Sequence, residues 1–378
     1  MTADWIAGQA GRIAAAAPEQ LARLVGVSSP SGDVAGAEAA IAVVRTLLPD
    51  TAEVERVPCS TPGHADDFVA RVRGDGERRI VLLGHLDTVI PHEDHQALRD
   101  DGEKLVGSGS VDMKGGDVLA AGVLRALAEG EGAPSFAEVA LLLVNDEEWR
   151  LVPFAHTDRF AGYDACLCFE AGQLGPDGEE AVVVRRKAAG TLRVRAYGRE
   201  AHSGSAPDKG VSALLALAEA AKAIAATHDP KGPDALTAVP TIFRSGDAFN
   251  VVPGKGELIS DLRADTSAAF GRVIAAVPER MGEAHLDAEL LRRWPGMDSR
   301  QDAAAMLARA AELLGAPLHA GARGGASDAS HLATAIPLTV DGLGPRGGGA
   351  HAPHEFVQTA SLEPRARIAL AVAAAALG

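Results

Sequence analysis

The sequence predicts an α/β fold in which a mostly parallel sheet carries helices on both faces and is interrupted by a smaller inserted α+β unit. Three observations predict it: helical and strand patterns alternate through the first 170 or so residues, the pattern changes after a glycine-rich polar break, and the first style returns near the end. In order, the apolar spacing predicts a helix over 37–48, a strand over 80–83, a helix over 117–128, and strands over 139–144 and 165–169. The break at 172–180 contains Gly175, Pro176 and Gly178. Beyond it come the apolar run Val182-Val183-Val184, an alternating run from Leu192, a helix over 211–228 and a strand over 257–263. A helix over 303–314, a strand over 336–340 and an amphipathic helix over 362–377 close the chain. The expected division is therefore a discontinuous domain of residues 1–178 and 294–378, with 179–293 inserted into it.

A chain of 378 residues exceeds the length at which one hydrophobic core stops growing, so two domains and a buried cleft are expected. An apolar fraction of 47% with 4% aromatic residues describes an ordinary globular protein built from helices of small residues. The formal net charge of −15, without any Lys/Arg-rich run, excludes the phosphate-neutralising surface of a nucleic-acid binder. Of three cysteines, Cys166 and Cys168 alternate inside an apolar run, which predicts reduced thiols in a strand rather than a disulfide framework. Near the N-terminus Asp4 precedes any basic residue, and the Ala-rich stretch 13–17 is too short to span a bilayer. A cytoplasmic protein with no membrane partner is the expectation.

The run Ile80-Val-Leu-Leu-Gly-His-Leu-Asp places His85 and Asp87 two apart just past a strand, so both side chains point the same way. His85 reads as a metal ligand and Asp87 as the carboxylate that takes its second N–H, against the simpler reading of a capped strand end. A glycine-rich turn, Gly107-Ser-Gly-Ser-Val, then delivers Asp112 ahead of a helix. It is no phosphate loop: Asp112 stands where a dinucleotide fingerprint needs its third glycine, and no Gly-Lys-Ser/Thr follows. The next strand runs into Asn145-Asp-Glu-Glu, where like charges repel unless a cation or solvent screens them. Adjacent side chains diverge, so one of Glu147 and Glu148 can face a metal while the other faces substrate as a base. A third strand delivers Glu170, and a late loop carries His351 and His354, both candidates. Four strand ends thus bring His, Asp, Glu and Glu to the sheet edge where open α/β proteins bind ligands, and nitrogen and carboxylate donors of this kind suit two zinc ions.

These segments resemble the co-catalytic dizinc family that includes glutamate carboxypeptidase, aminoacylase, acetylornithine deacetylase and succinyl-diaminopimelate desuccinylase. The motifs that carry the resemblance are Gly84-His-Leu-Asp-Thr-Val, Ser110-Val-Asp-Met-Lys-Gly-Gly, Asp146-Glu-Glu, Phe169-Glu, Gly198-Arg-Glu-Ala-His-Ser-Gly, Asn250-Val-Val-Pro, Gly324-Gly-Ala-Ser-Asp and Gly349-Ala-His-Ala-Pro-His-Glu. They span nearly the whole chain in family order. The resemblance implies that His85 and Glu170 hold one zinc, Glu148 and His351 the other, and Asp112 bridges them, with cobalt or manganese as substitutes. It implies that Glu147 is the general base, that Asp87 supports catalysis, that His351 rather than His354 is the ligand, and that the Asp112–Met113 peptide bond is cis. The insert becomes a lid and dimerisation domain, in which His202 crosses a two-fold axis to polarise the scissile carbonyl in the partner's site of a homodimer. Asn250, Arg263, Gly325 and Ser327 match substrate-contacting positions, Arg263 as a guanidinium suited to a free carboxylate. Without the resemblance, Arg263 beside Asp261 is a strand ion pair and His202 an ordinary loop histidine.

The implied activity is hydrolysis of an amide or peptide bond next to a residue with a free carboxylate, on a small peptide or N-acyl amino acid. Likeness around Arg323-Gly-Gly-Ala-Ser-Asp and Asp341-Gly-Leu-Gly-Pro favours the glutamate carboxypeptidase branch over an N-acyl-amino-acid deacylase. A non-catalytic, zinc-dependent dimeric binding protein is the rival from another class, and the intact Glu147 argues against it. A serine hydrolase is excluded because no Gly-x-Ser-x-Gly occurs. Trp149 and Arg150, directly after the paired glutamates, Ser108 and Ser212 depart from the family pattern and bear on the substrate pocket.

Overall fold

The computed structural model describes residues 2–378, and the chain divides into two compact units. The first comprises the chain to Arg185 with Asp298–Ala322 and Ser327–Gly378; the second comprises Arg186–Met297 with Arg323–Ala326.

The first unit is built on a six-stranded sheet. Its strands are β1 (Glu53–Val57), β2 (Asp67–Arg73), β3 (Arg79–His85), β4 (Glu138–Val144), β5 (Ala165–Cys168) and a short strand Thr339–Val340. The spatial order is β1, β2, β4, β3, β5 and Thr339–Val340; β1 pairs with β2 and β2 with β4 antiparallel, and the remaining pairings are parallel. Parallel strands covered on both faces need near-continuous apolar runs, and β3 and β4 are buried along almost their whole length. The expected strand over 336–340 is shorter, because Pro337 has no N–H to donate; only Thr339–Val340 pairs with β5. Helices α1 (Ala3–Val25), α2 (Val34–Arg45) and α3 (Gly115–Glu129) precede or connect these strands, and Ala304–Leu314 and Leu362–Leu377 pack with them. Helix α1 is longer than its sequence advertises: the Thr2 hydroxyl accepts from the Trp5 N–H at its start, and Pro18 is accommodated inside it. No described helix is long and apolar enough to cross a membrane.

Both expected boundaries are corrected. The glycine-rich break does not open the insert. It is the turn of a hairpin in which Gln173 and Leu174 pair with Ala181 and Glu180, and Val183 goes on to bridge Asp341, so 179–185 belong to the first unit. The fully buried Arg365 ties this hairpin down, donating to the carbonyls of Ala181, Gly342 and Gly344 and to the Glu180 carboxylate. The far boundary likewise falls after Met297 rather than before Trp294, because the strand Ala284–Trp294 carries its pairing through to its last residue.

The second unit is an antiparallel sheet ordered Thr237–Ser245, Lys255–Ala264, Ala188–Tyr197, Ala284–Trp294 and Arg280–Met281. Helices Ala213–Ala226 and Phe270–Ala276 join it in a separate core that includes Leu192, Val194, Leu217, Ile224, Leu258 and Phe270. Ser212 caps the longer helix by accepting from the Leu215 N–H.

Candidate active site

Parallel pairing fixes where the chemistry gathers. His85 lies opposite Val144, and Leu83 opposite Cys168, so β3, β4 and β5 end together. His85, the Asp146–Glu148 turn and Glu170 therefore emerge at one edge. Asp112 arrives from a different direction, through the turn before α3, where the Asp112–Met113 bond is cis. The backbone of that turn is held by Glu355, whose carboxylate accepts from the N–H groups of Gly109, Val111 and Asp112 at 2.8–2.9 Å. In the sequence Glu355 is only the residue that closes the Gly349-Ala-His-Ala-Pro-His-Glu motif. Its role as an acceptor for backbone N–H groups leaves no pattern in residue types.

Two donor clusters result. In one, His85 Nε2 lies 3.2 Å from Asp112 Oδ1 and 3.9 Å from Glu170 Oε1. In the other, His351 Nε2 lies 3.1 Å from both Asp112 Oδ2 and Glu148 Oε2. Asp112 is common to both, one oxygen turned to each histidine, and in each cluster the donor atoms lie within 4.8 Å of one another. His354 is exposed and belongs to neither. His351 sits on a left-handed backbone, φ 64°, on the loop that returns to the site.

The donor chemistry suits cations. His85 Nδ1 is 3.0 Å from the Asp87 carbonyl oxygen, which can only accept, so Nδ1 carries the proton. In the neutral ring the Nε2 lone pair then faces two carboxylate oxygens, an arrangement that repels unless a cation lies between them. Glu148 Oε1 is buried and without a hydrogen-bond partner, as a metal-directed oxygen would be. Nitrogen and carboxylate oxygen in this mixture suit zinc, or cobalt or manganese. The residues present fit two such ions.

Electrostatics follow from burial. Burial opposes ionisation of Asp112, but hydrogen bonds to His351 and His85 outweigh it and hold its carboxyl below the usual range. Hydrogen bonds donated to the Asp112 and Glu148 carboxylates push His351 up to about 10 against its desolvation. Glu147 is buried, and desolvation, aided by the charges of Glu170 and Asp112, pushes it up to about 7. Burial likewise raises Glu148 to about 7.

Asp87 does more than pair with His85. Its carboxylate stands 3.4 Å from His85 Nδ1, farther than its own carbonyl, and also accepts from the backbone N–H groups of Glu147 and Glu148, both at 3.1 Å. It therefore fixes the turn that aims both glutamates. Arg150 does the same from behind: fully buried, it donates to Asp146 Oδ1 at 2.7 Å and pairs with Asp328.

The remaining expected residues belong to neither cluster. Ser327 is buried in the first unit and its hydroxyl donates to Asp341 at 2.6 Å, so that proton is committed. In the second unit, Arg263 makes a bidentate pair with Asp261, both contacts 3.0 Å, which is the strand ion pair of the simpler reading. The Gly325 carbonyl accepts from Arg186. His202 and Asn250 share an exposed tip, where Ser203 N–H donates to the Asn250 carbonyl. His202 Nδ1 accepts from the N–H groups of Gly204 and Ser205, both at 3.1 Å. Nδ1 is therefore the bare nitrogen and Nε2 the one bearing hydrogen.

Residues 81–375 match the family described as Peptidase family M20/M25/M40. The chain belongs to this family. It is a metallohydrolase of the peptidase and amidohydrolase kind, and the family as a whole binds metal, as the two donor clusters suit it to do. Carboxypeptidase G2 of a Pseudomonas species is 26% identical over 366 residues, covering 91% of this chain and 85% of that protein. A succinyl-diaminopimelate desuccinylase of Afipia carboxidovorans is 30% identical over 245 residues, 59% of this chain and 62% of its own. Aminopeptidase PepT from Bacillus cereus superposes with a TM-score of 0.75 at 22% identity, covering 96% of this chain and 98% of that one, which establishes the shared fold.

Proposed function

We propose that this family member is a two-zinc hydrolase that cleaves an amide or peptide bond next to a residue with a free carboxylate, as a carboxypeptidase of the glutamate carboxypeptidase type. One observation carries the reading: two donor clusters share Asp112, and a buried carboxyl, Glu147, stands beside them with its pKa pushed up to about 7. The carboxypeptidase choice draws on the 26% identity to carboxypeptidase G2 along 91% of the chain.

His85 and Glu170 would hold one ion, Glu148 and His351 the other, with Asp112 between them. When bound, such ions lower the pKa of water and polarise a carbonyl oxygen. Glu147 takes the proton of the attacking water on its carboxylate and returns it to the leaving nitrogen as the C–N bond breaks; a pKa near neutrality suits both transfers. Asp87 keeps Glu147 on station through the two backbone N–H groups it accepts. His202, with its hydrogen on Nε2, donates to the oxyanion that develops on the carbonyl, and does so in the site of the other subunit of a homodimer. Asn250 and the Gly325 backbone would line the substrate, and Arg263 would meet its carboxylate by exchanging Asp261 for it.

The second unit supports the dimer. Its edge strand Thr237–Ser245 leaves Val239, Ile242 and Phe243 exposed, and the helix Ala213–Ala226 leaves Leu214 and Leu215 exposed. An apolar open edge of this kind is a liability unless another chain covers it, and a second copy is the occupant.

Glu147→Ala protein that retains its metals and has lost turnover is the expected result; normal turnover with full metal content would sink the mechanism. Dipeptides assayed beside N-acetyl and N-succinyl amino acids test the branch. Exclusive acyl cleavage would make the chain a deacylase, in line with its likeness to the desuccinylase.

A further inference from the structure

The segment directly after the paired glutamates alternates outward and inward. Trp149 is 63% exposed, Arg150 is buried, Leu151 is 56% exposed, and Phe154 is buried again. The buried members are anchored: Arg150 between Asp146 and Asp328, and Phe154 beneath the Arg150 guanidinium at 4.8 Å and stacked on His331 at 5.2 Å. On the other side of Trp149, the Asp87 carboxylate holds the N–H groups of Glu147 and Glu148. An indole and an isobutyl group are thus presented to solvent from a backbone pinned at both ends, one peptide bond from Glu148.

Among the tryptophans this exposure belongs to Trp149 alone. The chain has only three; Trp294 is 1% exposed and Trp5 is half-buried against the core. Leaving a large apolar surface in water forfeits about 25 cal/mol for each Å² that a ligand could cover. A rigid aromatic surface pays little conformational entropy when a ligand covers it.

We propose that Trp149, backed by Leu151, is a specificity-determining residue that receives an aromatic or large aliphatic group of the substrate. The inference rests on the hydrolase reading above and names the substrate class of that site: amides with a bulky apolar group beside the scissile bond. Contact with the indole face would add to simple burial, because aromatic pairs gain beyond their area.

The group could belong to the acyl side or to the residue bearing the free carboxylate, and paired substrates separate the two. On metal-loaded protein, kcat/KM is measured for glycyl-phenylalanine against glycyl-alanine, and for phenylalanyl-glycine against alanyl-glycine, together with the N-acetyl counterparts. Trp149→Ala is expected to cost the phenylalanine member of one pair about 5- to 10-fold while the alanine member changes less than about 2-fold. Trp149→Phe should keep most of the discrimination. Equal losses on both members of each pair would overturn the inference. So would unchanged ratios with an altered sedimentation coefficient, since the ledge would then be covered by a second copy of the chain. Should the wild type cleave none of these substrates, the hydrolase reading fails while Trp149 remains testable by binding. In Glu147→Gln protein, iodide quenching of tryptophan fluorescence reports mainly the exposed Trp149. Phenylalanine-bearing amides should shield it where alanine-bearing ones do not, and the absence of any difference would refute the assignment.

Discussion

The two halves of the proposed chemistry are held in opposite ways. Around Asp112 the donors other than the exposed His351 are fixed by their own unit: strand register places His85 and Glu170, Asp87 and Arg150 clamp the glutamate turn, and Glu355 clamps the loop of Asp112. At the tip of the second unit, His202 and Asn250 are exposed, Phe249 is 101% exposed beside them, and only short backbone contacts organise the imidazole. A buried, prepaid constellation suits ions and a proton carrier, which need fixed distances. An exposed donor suits a group that must be brought to substrate from elsewhere.

The largest effect that tests this contrast is on the buried side. Glu147→Gln should lower kcat by about 10²- to 10⁴-fold, the usual worth of a positioned proton carrier, while metal content stays at two ions per chain. A parallel loss of metal would mean that Glu147 is a ligand and that the base lies elsewhere. Arg150→Met tests the clamp beneath it. Removing a fully buried guanidinium takes the shared cation from Asp146 and Asp328, leaving Asp146 the N–H and hydroxyl of Thr61, at a cost of about 3–5 kcal/mol read from denaturant unfolding. A cost under about 1 kcal/mol would show that the turn is held by Asp87 and Thr61 without it.

The exposed side should respond differently. His202→Ala is expected to lower kcat by about 10²- to 10³-fold with metal content and thermal stability unchanged. The partner arrangement makes a sharper forecast when His202→Ala and Glu147→Ala chains are unfolded, mixed in equal amounts and refolded together. Half of the dimers would be mixed, and each of these would own one site with both groups intact, giving about one quarter of wild-type activity. If His202 served its own chain, every site would lack one group and mixing would recover nothing.

The same contrast decides what the sequence could reveal. His85, the Glu147–Glu148 pair and Glu170 are legible because parallel strands of apolar residues end in them, whereas Asp112 comes from the glycine-rich turn before α3 and the choice of Glu148 over Glu147 rests on the family motif. His351 and His354 are three residues apart on a loop, where no periodicity says which one turns inward, and only the family motif separates them. Arg263 is paired with Asp261, so the residues alone read as a strand ion pair and only the motif points this guanidinium to substrate. The first misplaced boundary has a local cause: glycine and proline mark a turn, but nothing in residues 172–180 distinguishes a hairpin from a linker. Helix α1 was hidden by Pro18, which ordinarily ends a helical pattern and here does not.

Glu355 gives the smallest effect and the cleanest separation of the two halves. Its Oε1 accepts from both Val111 and Asp112, and its Oε2 from Gly109, so the carboxylate needs acceptors on both oxygens. In Glu355→Gln one of those oxygens becomes an amide nitrogen, and a donor then faces a donor. The loop carrying Asp112 must shift to relieve it. Because Asp112 faces both histidines, the shift would loosen both donor clusters together, and weakening a ligand's support of this sort typically costs about 10- to 100-fold in metal affinity. Competition with a chelator on Glu355→Gln should therefore show both ions weakened by similar factors, with turnover restored at saturating metal. His202→Ala measured in the same way should hold its ions as tightly as wild type. Weakening of only one ion in Glu355→Gln would mean that Asp112 serves one cluster alone, and the shared-carboxylate arrangement would have to be abandoned.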